Sequence, residues 1–213
     1  MADGAGVRIT AGRHRRRRLT VPAGAQVRPT ADRTRQALFN MLAHGGLGTG
    51  DTGDVVRTAH VLDLYAGTGA LGLEALSRGA SHVLFVEQAA VALDALNANI
   101  ISLGETAAAR ILVADASRLV RRPAGQEPVD LVFLDPPYGA DMIGPTLAAL
   151  ADGDWLAAGA MLAVECAAGN SIWQEQALHL GYDILRRRTH GAADIVIVRW
   201  TDTEGSPASS AGS

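Results

Sequence analysis

The residues best equipped for chemistry are Asp135, Pro136, Pro137 and Tyr138, which follow the apolar run LVFL. An acid, two prolines and an aromatic together are an unusual way for a strand to end. The prolines fix φ and hold the loop rigid, and neither has an N–H. The carbonyls of Asp135 and Pro136 are therefore left to accept from elsewhere. Asp135 and the Pro136 carbonyl are predicted to accept the two hydrogens of an exocyclic amine, with Tyr138 stacked on the base that carries it. Such an amine is a poor nucleophile, because its lone pair is delocalised into the ring. Two acceptors aimed at its hydrogens orient it and stabilise the positive charge that builds as nitrogen attacks. The competing reading is a rigid turn with a capping Asp and a packed Tyr.

A second constellation lies upstream. Gly67, Gly69 and Gly72 spell GxGxxG immediately after the apolar run VLDLY. Between a strand and a helix, such glycines let the backbone approach a ligand, and the helix start favours electron-rich groups. Glu87 lies twenty residues past Gly67, at the end of the next apolar run, where it can accept from ribose hydroxyls. Asp115 ends a third run and can accept from an adenine amine or cap the following helix. These residues fit a nicotinamide dinucleotide and S-adenosylmethionine alike. Asp63 favours the latter: a carboxylate before the glycines gains nothing beside a pyrophosphate but suits a cationic amino-acid group.

Elements that would position these residues are legible around them. Apolar runs at 61–65, 82–87, 110–114, 129–135, 161–166 and 194–200 read as buried strands. Helical patterns fall at 70–78, after residue 88, near 142–151 and over IWQEQALHLG. Strands buried on both faces and separated by helices imply a doubly wound α/β domain, Rossmann-like, with a mostly parallel sheet. Ahead of it, residues 7–21 read as a β-hairpin. A helix is predicted after Thr30 as its N-cap, with the stripe Ala37, Leu38, Met41 and Leu42 facing inward. The expected organisation is an N-terminal hairpin and helix over 1–44, a glycine-rich flexible loop over 45–58, the catalytic domain over 59–201 and a polar disordered tail over 202–213.

The 213 residues carry a net charge of −3, which conceals a division. Residues 1–40 hold nine of the 19 basic residues, all arginines, against two acids, giving +7; the rest of the chain is −10. Arginine grips phosphate with a planar fork, so Arg8, Arg13, Arg15, Arg16, Arg17, Arg18, Arg28, Arg33 and Arg35 read as a nucleic-acid-binding arm. A lone Cys166 excludes an internal disulfide. No run reaches the roughly 18 apolar residues of a membrane span, and neither a leader nor a metal-ligand pattern is evident. A cytoplasmic protein is expected.

The segments Asp63-Leu-Tyr-Ala-Gly-Thr-Gly-Ala-Leu-Gly and Phe133-Leu-Asp-Pro-Pro-Tyr resemble those of bacterial 16S ribosomal RNA guanine-N2 methyltransferases of the RsmD type. Arg28-Pro-Thr-Ala-Asp-Arg-Thr-Arg, including Thr30, is similar to that family's more specific upstream signature, and Arg8-Ile-Thr-Ala-Gly-Arg-His-Arg to its basic hairpin. The resemblance spans roughly residues 7–200. It implies a class I methyltransferase fold with a seven-stranded sheet and an antiparallel last strand. It implies S-adenosylmethionine held around Asp63, Tyr65, Ala66, Gly67, Gly69, Glu87, Gln88, Asp115 and Ala116, and no metal. It also implies methylation of guanine 966, in the usual count, in the small ribosomal subunit or its assembly intermediate, by a monomer. Three positions depart from the pattern: Gln88 stands where an acid is common, Arg16 where glycine is common, and His190 where an aromatic is common. From the residues alone, other readings stay open: methylation of another RNA, of DNA or of a protein amide, nicotinamide oxidoreduction, or a non-catalytic ribosome assembly factor.

Overall fold

The computed structural model describes residues 6–22, 29–48, 53–137 and 141–201, with the backbone alone at 29–31. Helix α1 (Pro29–His44) precedes an alternation of β1 (His60–Leu64), α2 (Ala70–Ser77), β2 (His82–Glu87), α3 (Ala90–Leu103), β3 (Ala109–Val113) and β4 (Val129–Leu134). Next come α4 (Ile143–Asp152), β5 (Leu156–Ala167), α5 (Ile172–His179), β6 (Tyr182–His190) and β7 (Ala193–Trp200). The strands form one sheet in the order β3-β2-β1-β4-β5-β7-β6. Strands β1 to β5 run parallel, and β7 runs antiparallel to both neighbours. This is the class I methyltransferase topology that the resemblance implies.

Alternation along the strands divides the core into two layers. Val61, Leu131, Phe133, Ala163, Ile195 and Ile197 face one side, with α1 and α2. Leu62, Leu64, Val132, Leu134, Val164 and Val196 face the other, with α4 and α5. Burial on both faces explains why these strands read as unbroken apolar runs. The chain leaves β1 toward one edge and returns at β4 toward the other, so a crevice opens past the carboxyl ends of β1 and β4.

The N-terminal segment shares this core. Ile9, Leu19, Leu38, Phe39, Met41 and Leu42 join the first layer, and Phe39 lies 5.4 Å from Phe133 between ring centroids. Residues 7–19 fold back as a hairpin, with Ile9 N–H donating to the Arg17 carbonyl and Leu19 N–H to that of Val7. The hairpin is latched by Glu74, which is fully buried in α2. Its carboxylate accepts from Thr10 N–H and Oγ1–H at 2.7 Å each, Ala11 N–H at 3.0 Å and Arg78 Nε–H at 2.7 Å.

One expectation changes, one falls partly outside the described residues, and one strand is not legible in the residues. Helix α1 starts at Pro29, so Thr30 lies inside the first turn and the proline takes the first helical position, where its missing N–H costs nothing. Of the loop expected over 45–58, residues 49–52 lie outside the described residues, as does the 202–213 tail. Strand β6, YDILRRRTH, gave no apolar signal; it is an edge strand whose exposed arginines blunt further pairing.

Candidate active site

Two cavities open at the carboxyl ends of the parallel strands. One, of about 380 Å³, lies between the ends of β1, β2 and β4 and is lined by Tyr65, Glu87, Gln88, Ala116, Asp135 and Pro137 among others. The second, of about 470 Å³, is enclosed by α1, the start of α2, the ends of β4 and β5 and the β6–β7 turn. Asp135 lines both.

The first cavity is shaped by the turn from β1 into α2. Gly69 sits at φ 79°, and a Cβ there would lie 2.4 Å from Leu96 Cδ1. Only glycine meets both conditions. At Gly72 a Cβ would lie 2.4 Å from the Phe85 ring, so this glycine serves helix–strand packing rather than a ligand. Tyr65 adopts φ 57°, a conformation that a non-glycine residue holds only when its surroundings enforce it. Thr146 Oγ1 donates to the Met142 carbonyl at 2.6 Å and so accepts from the Tyr65 hydroxyl at 2.7 Å. Asn99, buried in α3, donates through Nδ2 to the carbonyls of Thr68 and Thr20, both at 3.0 Å, while its Oδ1 accepts from Thr20 N–H. It thereby ties the glycine turn to the chain leaving the hairpin. Ala66 is buried and donates its N–H to the Val86 carbonyl.

The acids in and around the first cavity have distinct surroundings. Glu87 Oε2 accepts from Gly67 N–H at 2.8 Å, and Oε1 accepts from the N–H groups of Gln88 and Ala89 at 2.8 Å each. A pyrophosphate at this turn would need the N–H that Glu87 already takes, and would meet a second anion there, which disfavours a nicotinamide dinucleotide. Asp115 caps a short 3-10 turn over Ala116–Arg118, accepting from Ser117 N–H at 2.9 Å and Oγ–H at 2.7 Å. These two bonds hold its carboxyl below the usual range. Capping and an adenine contact are compatible, because the bonds fall on one oxygen. Asp63 does not line the cavity wall. It is 1% exposed, and its Oδ2 accepts from Gly72 N–H at 2.8 Å. Burial above all, with the charges of Asp135 and Glu87, pushes it up to about 8. With its carboxyl largely protonated at neutral pH, Asp63 reaches a ligand through the turn it holds by way of Gly72 N–H.

Asp135 follows the last residue of β4. It is accessible from both cavities, yet their walls strip much of the water from its carboxyl. That desolvation, and then the charge of Glu165, push it up to about 7. Pro136 is buried behind it and Pro137 exposed beside it. Tyr138 lies outside the described residues. The second cavity also holds Glu165, Thr34 and His190, which sequence reasoning did not assign. Glu165 had a signal: it is the acid of the fifth parallel strand, after acids at the ends of the other four.

The arginines divide into two groups. Arg35 is 6% exposed and is held by Asp32 at 2.7 Å and the Arg8 carbonyl at 2.6 Å. Arg13 makes a two-pronged pair with Glu105 at 2.9 and 2.7 Å, beside His14 on the same carboxylate. Arg8 lies 3.9 Å from Asp32. These three are engaged within the fold, and Arg35, though buried, also lines the second cavity. Arg15, Arg16, Arg17, Arg18 and Arg33 are exposed, with Arg17 also donating to the Ser102 carbonyl. Arg16 adopts φ 70°, so the turn keeps the left-handed conformation that glycine would take there more cheaply. Arg28 and the Thr30 side chain lie outside the described residues. Among the described residues no group of three or more His, Cys, Asp or Glu is placed to hold a metal ion. None of their helices is long and apolar enough to cross a membrane.

The model of a protein family described as Conserved hypothetical protein 95 matches residues 7–199. The chain belongs to this family. It is 33% identical over 198 residues to Ribosomal RNA small subunit methyltransferase D of Escherichia coli (strain K12), covering 88% of this chain and 93% of that one. The protein of the same name from Haemophilus influenzae is 33% identical over 160 residues, covering 75% and 78%. A solved Escherichia coli chain named as a methyltransferase, yhhF, superposes with a TM-score of 0.73 at 30% identity, covering 92% of this chain and 98% of that one. Family membership and the class I sheet together make the chain a methyltransferase, and both imply S-adenosylmethionine as the donor.

Proposed function

We propose that the chain transfers a methyl group from S-adenosylmethionine to the exocyclic N2 of a guanine in small-subunit ribosomal RNA, at position 966 in the usual count. The observation that carries the reading is the place of Asp135, the one residue among those described that lines both the cavity holding Glu87 and the cavity beside the basic hairpin and α1. The residues fit the donor. Glu87 would hold a ribose hydroxyl with the one lone pair its three backbone bonds leave open on Oε2, and Asp115 the adenine amine. Asp63 would brace the turn beneath the methionine end, and a cationic group bound there would favour its ionised form. S-adenosylmethionine, when bound, supplies an electrophilic sulfonium methyl.

The chain's own groups prepare the acceptor. Asp135 and the Pro136 carbonyl accept from the two N2 hydrogens and fix the amine's lone pair in one direction. Asp135 also offsets the positive charge that develops on N2 and can take the proton that the methylated amine must lose. Tyr138 stacks on the base. Arg15, Arg16, Arg17, Arg18 and Arg33 contact phosphates and hold the RNA over the second cavity. The substrate is the small subunit or its assembly intermediate, in the cytoplasm, and the enzyme acts as a monomer. Mass-spectrometric mapping of rRNA from a strain deleted for the gene tests this. A single 2-methylguanosine should disappear from small-subunit RNA; an unchanged modification map would overturn the proposal.

A further inference from the structure

Glu165 lies beside the proposed catalytic loop and has no part in the chemistry assigned above. Strands β4 and β5 pair in parallel with Leu134 opposite Val164. One step further on, Asp135 and Glu165 are neighbours across a spacing of about 4.8 Å. Leu134 and Val164 face the α4–α5 layer, so side-chain alternation turns Asp135 and Glu165 toward α1 and the second cavity. Both line that cavity and are its two carboxylates among the described residues. Glu165 is half-buried, and its charge reaches Asp135.

Two adjacent carboxylates ask for a ligand edge with adjacent donors. Guanine has one: the N2 amine beside N1–H. Adenine and cytosine place an unprotonated ring nitrogen next to their amine, which would set a lone pair against the second carboxylate. We infer that Glu165 accepts the N1–H of the target guanine while Asp135 and the Pro136 carbonyl accept from N2, making Glu165 the residue that specifies guanine. The inference rests on the methyltransferase reading above and adds the origin of its base preference. Three acceptors then meet three donor hydrogens along one edge. A site built to hydrogen-bond a group rejects an analogue lacking it, because its own polar atoms are left unpaired.

2-Aminopurine separates the two carboxylates. It keeps the 2-amine but presents N1 as an acceptor. Small subunits are reconstituted from RNA ligated to carry either guanine or 2-aminopurine at the target, and kcat/KM for methyl transfer is measured on each. The wild-type chain should prefer guanine by at least about tenfold. In Glu165→Gln the amide can donate to the 2-aminopurine N1, and the preference should shrink to within about threefold. Glu165→Ala, which neither accepts nor donates, should lose the preference as well. Cofactor affinity and Tm, measured alongside, show that the variants are folded. A guanine preference equal in the wild type and both variants would overturn the inference while leaving the methyltransferase reading intact. No transfer to the guanine particle by the wild-type chain would overturn both.

Discussion

Asp135 should titrate far above an ordinary aspartate, and Glu165 should be part of the reason. Its carboxyl is pushed from 3.8 to about 7, chiefly by desolvation and then by the Glu165 charge on the next strand. At pH 6 about one tenth of the free chain would then carry an ionised Asp135, since each unit below the midpoint costs a factor of about ten. A protonated Asp135 keeps a hydrogen on one oxygen and accepts poorly from an amine, so methyl transfer should fall on the acid side. Carboxyl 13C NMR of the cofactor-free chain, with Asp135→Asn to assign the resonance, should give a midpoint near 7. Glu165→Gln should lower it while leaving it above 3.8, because desolvation by the cavity walls remains. The sign for stability follows. The folded-state value lies above the unfolded one, so between about pH 4 and pH 7 the folded chain holds a proton that the unfolded chain has released. This group therefore lowers unfolding free energy as pH rises through that window. Asp63, at about 8, acts in the same direction up to a higher pH. Asp135→Asn should remove its share of the slope in urea unfolding measured at pH 5 and pH 8. An Asp135 midpoint near 4, or one unmoved by Glu165→Gln, would refute the reasoning.

Other consequences can be measured separately. Glu74→Ala strips four hydrogen bonds from the hairpin latch and leaves Arg78 without its buried partner. It should cost about 3–5 kcal/mol, lower Tm by about 6–20 °C and expose the hairpin arginines to trypsin. Asn99→Leu frees the Thr68 carbonyl in the glycine turn. Calorimetry should show S-adenosylmethionine binding weakened about tenfold, a loss of roughly one buried hydrogen bond, with RNA affinity less affected. Replacing Arg15, Arg16, Arg17 and Arg18 by serine should weaken RNA binding and flatten its salt dependence by about 0.7–0.9 in log–log slope per lost phosphate contact. Arg16→Gly alone should weaken RNA binding yet raise Tm slightly, because it relieves the positive φ.

Legibility in the sequence followed burial. Four of the five parallel strands stood out because both faces are largely covered, edge strand β3 by its apolar composition alone, and their predicted limits fall close to the observed ones except in β5. That strand begins at Leu156, where LAAGA offers small residues in place of an apolar run. Edge strand β6 carries RRRT on exposed positions and gave no signal for the same reason inverted. The site divided similarly. Glycine positions and strand-end acids follow from local backbone needs, so Gly69, Glu87 and Asp135 could be read directly. Distances across the fold could not. That Glu74 takes the hairpin's Thr10 N–H and Glu105 its Arg13 depends on pairings 64 and 92 residues apart. That Asp63 lies beneath the cavity rather than on its wall depends on how α2 packs.

Methyl transfer from radiolabelled S-adenosylmethionine to small subunits lacking the modification tests the central claim most directly, with wild type and Asp135→Ala compared side by side. The account predicts label on a single guanine, as 2-methylguanosine, with wild type. It predicts no label with Asp135→Ala, whose affinity for the cofactor should stay within about threefold. Equal labelling by the variant, or label on any group other than a guanine N2, would contradict it.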